Sequence, residues 1–160
     1  MKNTYIYLVV LIIVVLFIFC LFKSKKKTVK ISELKNMHFG YSTSTMMNAY
    51  VSYDLKYEND QYIATIKPNL VAEEDALVVE ITEKDVKMIE EIFKNYEVSN
   101  WDGFNKSDKN VLDGNDFSLS VGFVNGDSIS ASGYMMYPKN YADVRNRLDE
   151  IFMNIYRNQK

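Results

Sequence analysis

At 160 residues, with 48% apolar and 25% charged side chains and a formal net charge of −2, the chain has the composition of one ordinary globular domain. Six glycines, two prolines and no low-complexity tract exclude a disordered or fibrous protein, and a single cysteine excludes an internal disulfide or a cysteine-rich zinc cluster. The charge is unevenly spread: five lysines and no acid lie in residues 1–27, so the rest of the chain carries 14 basic against 21 acidic residues, a net −7.

From Tyr5 to Phe22 no side chain is charged, and Leu, Ile, Val and Phe dominate. As a helix these residues would reach about 27 Å, enough for a bilayer core. The end of the run, Phe17-Ile18-Phe19-Cys20-Leu21-Phe22, lacks the small residues that a signal peptidase or a lipobox requires. The reading is therefore an uncleaved single transmembrane anchor over residues 1–27 with a basic flank, the lipid bilayer being its partner through Tyr5 to Phe22. Lys23, Lys25, Lys26, Lys27 and Lys30 follow the span against Lys2 before it, and that bias places the soluble part on the cytoplasmic side. A short anchor with an n-region lysine leaves the extracytoplasmic orientation open.

Residues 28–36 read as a linker and 37–160 as one soluble α+β domain. Tyr50 to Glu58 alternates Val51, Tyr53, Leu55 and Tyr57 with polar residues, the period of a half-buried strand, and Tyr62, Ala64 and Ile66 supply a second. A two-residue Asn59-Asp60 loop sets Tyr57 opposite Tyr62, Leu55 opposite Ala64 and Tyr53 opposite Ile66, apolar against apolar throughout. Leu77 to Ile81 reads as a short strand. Thr82 then opens a helix with Asp85 as an imperfect capping-box partner, burying Val86, Ile89, Ile92, Phe93 and Tyr96.

Strand 116–124 points Phe117, Leu119, Val121 and Phe123 one way, and Ile129, Ala131, Gly133 and Met135 return. A two-residue Asn125-Gly126 turn would set Phe123 against Ser128, so parity demands a three-residue loop Val124-Asn125-Gly126 with Gly126 left-handed, pairing Val121 with Ile129. A last helix follows Pro138, with Asn140 as its cap and Val144, Leu148, Ile151, Phe152 and Ile155 at helical spacing. Together these predict an N-terminal transmembrane helix followed by a two-layer domain of mostly antiparallel sheet carrying two helices.

Chemistry is harder to find. Residues 101–116 concentrate Trp101, Asp102, Asp108, Asp113 and Asp116 with two Asp-Gly pairs, a candidate ligand-binding loop. Counted from Asp108, an EF-hand fails at its fifth and sixth positions, and Asp and Gly are also the residues that make tight turns. His38 is the only histidine, so a Ser-His-Asp triad could be built only around it, and the neighbouring run Ser42-Thr43-Ser44-Thr45 lacks a nucleophile-elbow pattern. No phosphate-binding glycine motif is present, so no cofactor is expected, and the acidic body disfavours nucleic acid. Tyr50, Tyr53, Tyr57 and Tyr62 offer an aromatic face that ordinary strand packing explains equally well.

The segments Trp101-Asp102-Gly103-Phe104, Val111-Leu112-Asp113-Gly114, Phe117-Ser118-Leu119, Ala131-Ser132-Gly133-Tyr134 and Pro138-Lys139-Asn140-Tyr141 resemble a group of small membrane- or lipid-anchored proteins of Gram-positive, clostridia-like bacteria. That resemblance covers about a third of the chain, implies a folded domain in an envelope setting, and carries no activity. The functional expectation is a non-catalytic binding or accessory module that meets a protein or small ligand. The alternative is a carboxylate-dependent hydrolase, or a weak Ca²⁺ site, built from the Asp-Gly loop.

Overall fold

A computed structural model describes residues 29–43 and 49–159. They form strands β1 (Leu34–Ser42), β2 (Tyr50–Glu58), β3 (Gln61–Lys67) and β4 (Leu77–Ile81), helix α1 (Glu83–Asn95), strands β5 (Phe104–Ser107), β6 (Asp116–Phe123) and β7 (Ser128–Tyr134), and helix α2 (Tyr141–Gln159). The seven strands make one sheet in the order β4-β3-β2-β1-β6-β7-β5.

Both hairpins adopt the registers that parity dictates. In β2–β3, Tyr57 pairs with Tyr62, Leu55 with Ala64 and Tyr53 with Ile66. Asn59 and Asp60 both take positive φ (51° and 63°), the requirement of a two-residue turn whose twist matches the strands. In β6–β7, Val121 pairs with Ile129, the Phe123 N–H donates to the Asp127 carbonyl (2.9 Å), and Gly126 sits at φ 82°. The return strand ends one residue earlier than expected: Met135 lies beyond it at φ 54° and is 39% exposed.

The alternation buries one face of the sheet. Phe39, Tyr53, Leu55, Ile66, Leu119 and Ile129 are at most 2% exposed and pack with Ile89 and Phe93 of α1 and Leu148 and Phe152 of α2. Phe152 stacks on Tyr53 with ring centroids 4.5 Å apart and planes 13° apart, an arrangement worth about 0.5–1.5 kcal/mol beyond the buried area. Helix α1 begins where expected: Asp85 N–H donates to the Thr82 hydroxyl (3.3 Å) and Thr82 N–H to the Asp85 carboxylate (3.1 Å). Asn140 departs from its expected role. Its residue is left-handed at φ 64°, and its side-chain amide donates to the Tyr96 carbonyl (3.2 Å), tying the start of α2 to the end of α1 instead of capping α2.

The expected fold class is corrected in two respects. The sheet is mixed: β5, inside a stretch that its Asp-Gly pairs mark as turns, pairs parallel with β7 at the sheet's edge. The chain reaches that edge because α1 and the 3₁₀ turn Val98–Trp101 carry it from β4, at the other edge, across the buried face. As for the N-terminal transmembrane helix, among the described residues no helix is long and apolar enough to cross a membrane, and residues 5–22 lie outside the described residues.

Candidate functional site

The five residues singled out in the 101–116 stretch do not converge. Trp101 is 2% exposed and donates its indole N–H to the Lys139 carbonyl (3.0 Å), a core position. Asp102 accepts from the Ser130 N–H (3.1 Å), whereas Asp108 accepts from the Asn110 N–H (2.9 Å) in a turn at the other end of β5. Asp116 opens β6 opposite Tyr134, and Asp113 lies exposed in the connecting loop. Among the described residues no group of three or more His, Cys, Asp or Glu stands where it could hold a metal ion.

A bonded polar array forms instead on the face of the sheet opposite the helices. Because Met37, Phe39 and Tyr41 turn inward along β1, His38 and Gly40 turn outward. Register then sets His38 beside Asp54 of β2, and Gly40 between Ser52 of β2 and Ser118 of β6. His38 Nδ1 lies 2.8 Å from Asp54 Oδ1, His38 Nε2 lies 3.3 Å from Ser118 Oγ, and Ser118 Oγ lies 3.3 Å from the Tyr50 hydroxyl.

Gly40 makes the last of these contacts available. A Cβ there would fall 2.1 Å from the Tyr50 hydroxyl oxygen, so only a glycine lets the Tyr50 ring lie across β1 and reach β6. Lys67, 8% exposed, sits 5.4 Å from the Tyr50 ring centre and 3.5 Å from the Glu73 carboxylate. The side chains of His38 and Asp54 are each 39% exposed, so this array meets solvent.

The direction of its hydrogen bonds follows from one charge. An ionised Asp54 can only accept, so Nδ1 of His38 carries the proton it donates. In the neutral imidazole Nε2 is then a bare acceptor, Ser118 donates its O–H to it, and the Ser118 oxygen accepts from Tyr50. Protonating His38 reverses the outer half of the chain, because Nε2–H must then donate to Ser118.

The hydrogen bond to Asp54 raises the His38 pKa above its ordinary 6.5, burial opposes it, and the Asp54 charge adds to the rise. A pKa raised on folding contributes stability that is fully present below 6.5 and is lost as the pH climbs through the folded value. Since the chain has one histidine, its ring protons give a single NMR titration. The midpoint should lie above 6.5 in the wild type and fall to 6.5 or below in Asp54→Asn, where burial is left to act alone. An unchanged midpoint in the variant would show that the pair does not form in solution.

The sequence reads His38 as a strand or surface residue, because the nearby run Ser42 to Thr45 lacks a nucleophile pattern; the serine that reaches it is 80 positions away on β6. Only knowledge that β1 lies between β2 and β6 would have found it. Compared with known proteins, the sequence matches no family model and no curated protein.

Proposed function

We propose that this protein is a membrane-tethered binding or accessory module that meets a protein or small ligand through the uncovered face of its sheet. The tether is the uncharged stretch Tyr5 to Phe22, and the lysine bias around it favours the cytoplasmic side for the domain. One observation carries the reading. Both helices pack on the same face, leaving on the other an ordered set of polar side chains, His38, Tyr50, Asp54 and Ser118, held by cross-strand bonds before any ligand arrives. Preorganised polar groups of this kind spare a complex part of its ordering cost.

Photo-crosslinking in intact membranes tests it. Ser120 and Ser130 are exposed cross-strand neighbours on that face, and Lys84 is exposed on α1. A photoreactive residue at Ser120 or at Ser130 should give the same discrete adduct, absent when the group is at Lys84. No adduct from either serine position, or the same adducts from all three sites, would sink the proposal.

A further inference from the structure

We propose that Ser118 is a nucleophile toward carboxylic esters, activated by His38 and Asp54 and assisted by Tyr50. This goes beyond the binding reading and does not rest on it. A serine hydroxyl is a weak nucleophile until an adjacent base takes its proton, and the base must be held in one tautomer by a third group. Those three roles are filled here by Ser118 Oγ at 3.3 Å from His38 Nε2 and by Asp54 Oδ1 at 2.8 Å from His38 Nδ1. The serine–histidine contact is long, as such contacts commonly are before substrate tightens them. The order across the sheet, Asp54 then His38 then Ser118, depends on strand pairing alone: β2, β1 and β6 are consecutive in the sheet.

The fourth member completes the chemistry. Tyr50 presents its hydroxyl 3.3 Å from Ser118 Oγ, on the atom where an ester carbonyl would add. As Ser118 attacks the carbonyl carbon, its proton passes to His38 Nε2 and the carbonyl oxygen becomes an oxyanion to which Tyr50 can donate. Collapse of the adduct breaks the bond to the alkoxide leaving group, which takes the proton from Nε2 and departs as an alcohol. Water then attacks the acyl-Ser118 carbonyl, giving its proton to Nε2, and Ser118 leaves with that proton, so ester and water become acid and alcohol. Among the described residues, the cavity between α1 and α2 and the one beside Ser32 and Glu33 are lined by none of these four side chains, which favours an ester projecting from a larger molecule over a small enclosed substrate. The charged and titratable groups around the array are Asp54 and Tyr50 of β2, Lys67 of β3, Glu73 beside Lys67, and Asp116 of β6.

The full chain in detergent micelles, treated with a fluorophosphonate probe and mapped by peptide mass spectrometry, tests this. The expected result is a single adduct on Ser118, absent in Ser118→Ala. His38→Gln should slow labelling about 100-fold, the contribution of a positioned general base. Labelling rate should rise with pH through the His38 titration, and in Asp54→Asn that midpoint should move down with the histidine pKa, a shift that a merely structural role for Asp54 would not produce. Tyr50→Phe should slow hydrolysis of p-nitrophenyl acetate by about tenfold or more, the loss of one oxyanion donor. No adduct at Ser118, or an adduct whose rate ignores His38→Gln, would overturn the proposal. Thermal unfolding of each variant at the wild-type temperature shows that the loss belongs to the array and not to the fold.

Discussion

Replacing Trp101 with alanine should lower the unfolding free energy by about 3–5 kcal/mol, the range for removing a large aromatic side chain from a core. The ring is 2% exposed and joins three elements: it ends the 3₁₀ turn, meets Phe117 of β6 edge-on at 6.3 Å, and meets Tyr141 at the start of α2 at 6.1 Å. Its indole N–H also satisfies the Lys139 carbonyl just ahead of that helix. Truncation therefore leaves a cavity inside an aromatic cluster and an orphaned acceptor together, and rings that pack on one another at 4.7 Å, as Phe117 and Tyr141 do, cannot both move in to fill it. Urea unfolding followed by circular dichroism checks the value. A loss below about 1 kcal/mol would place Trp101 at the surface and reopen its use as a ligand contact.

The second large effect centres on Asp149 of α2. The Tyr41 hydroxyl donates to its carboxylate, 2.8 Å from each oxygen, and the Tyr53 hydroxyl donates to Oδ1 at 2.8 Å. Tyr41 and Tyr53 are 7% and 1% exposed, and burial is the main reason both hydroxyls are held above the ordinary tyrosine value of 10.0. Asp149→Ala strands two buried donors, each costing about 1–3 kcal/mol, so a total loss of about 2–6 kcal/mol is expected. Changing Tyr41 and Tyr53 to phenylalanine in the same chain removes the stranded donors and should recover most of that loss. Additive costs in the triple variant would mean that these hydroxyls find water when the carboxylate is gone.

How far the sequence revealed this protein depended on the distance between the residues that cooperate. The β2–β3 hairpin was legible because a two-residue loop fixes the parity of every pair, and the β6–β7 loop was legible because Ser128 could not face Phe123. The capping box at Thr82 was a local pattern with a local outcome. Strand β1 was not seen, since its outward residues include His38 and Gly40 in place of a clear polar row, and its partners lie far along the chain on β2 and β6. Strand β5 was missed for another reason. Phe104 to Ser107 has one apolar residue, sits at an exposed edge and follows Gly103 at φ 73°, so its local chemistry is that of a turn. The polar array was invisible for the same reason as β1: its members come from three strands, and local spacing carries no trace of their meeting. The 101–116 stretch drew notice through composition, which reports turn propensity more readily than convergence.

The way β1 begins gives the domain a near end and a far end. Val29 is buried in the core, and Lys30 bonds to Asn125 and Asp127 at the tip of the β6–β7 hairpin, so the chain enters the domain at that tip. Ser42, Asp116 and the loop holding Leu112 stand at the opposite pole, about 26 Å away along β1 at the usual rise per residue. His38 lies midway. On the proposed tether, a molecule approaching the hairpin tip would meet the anchored end, while one approaching the outer pole would meet Leu112, Met135 and Met136 first.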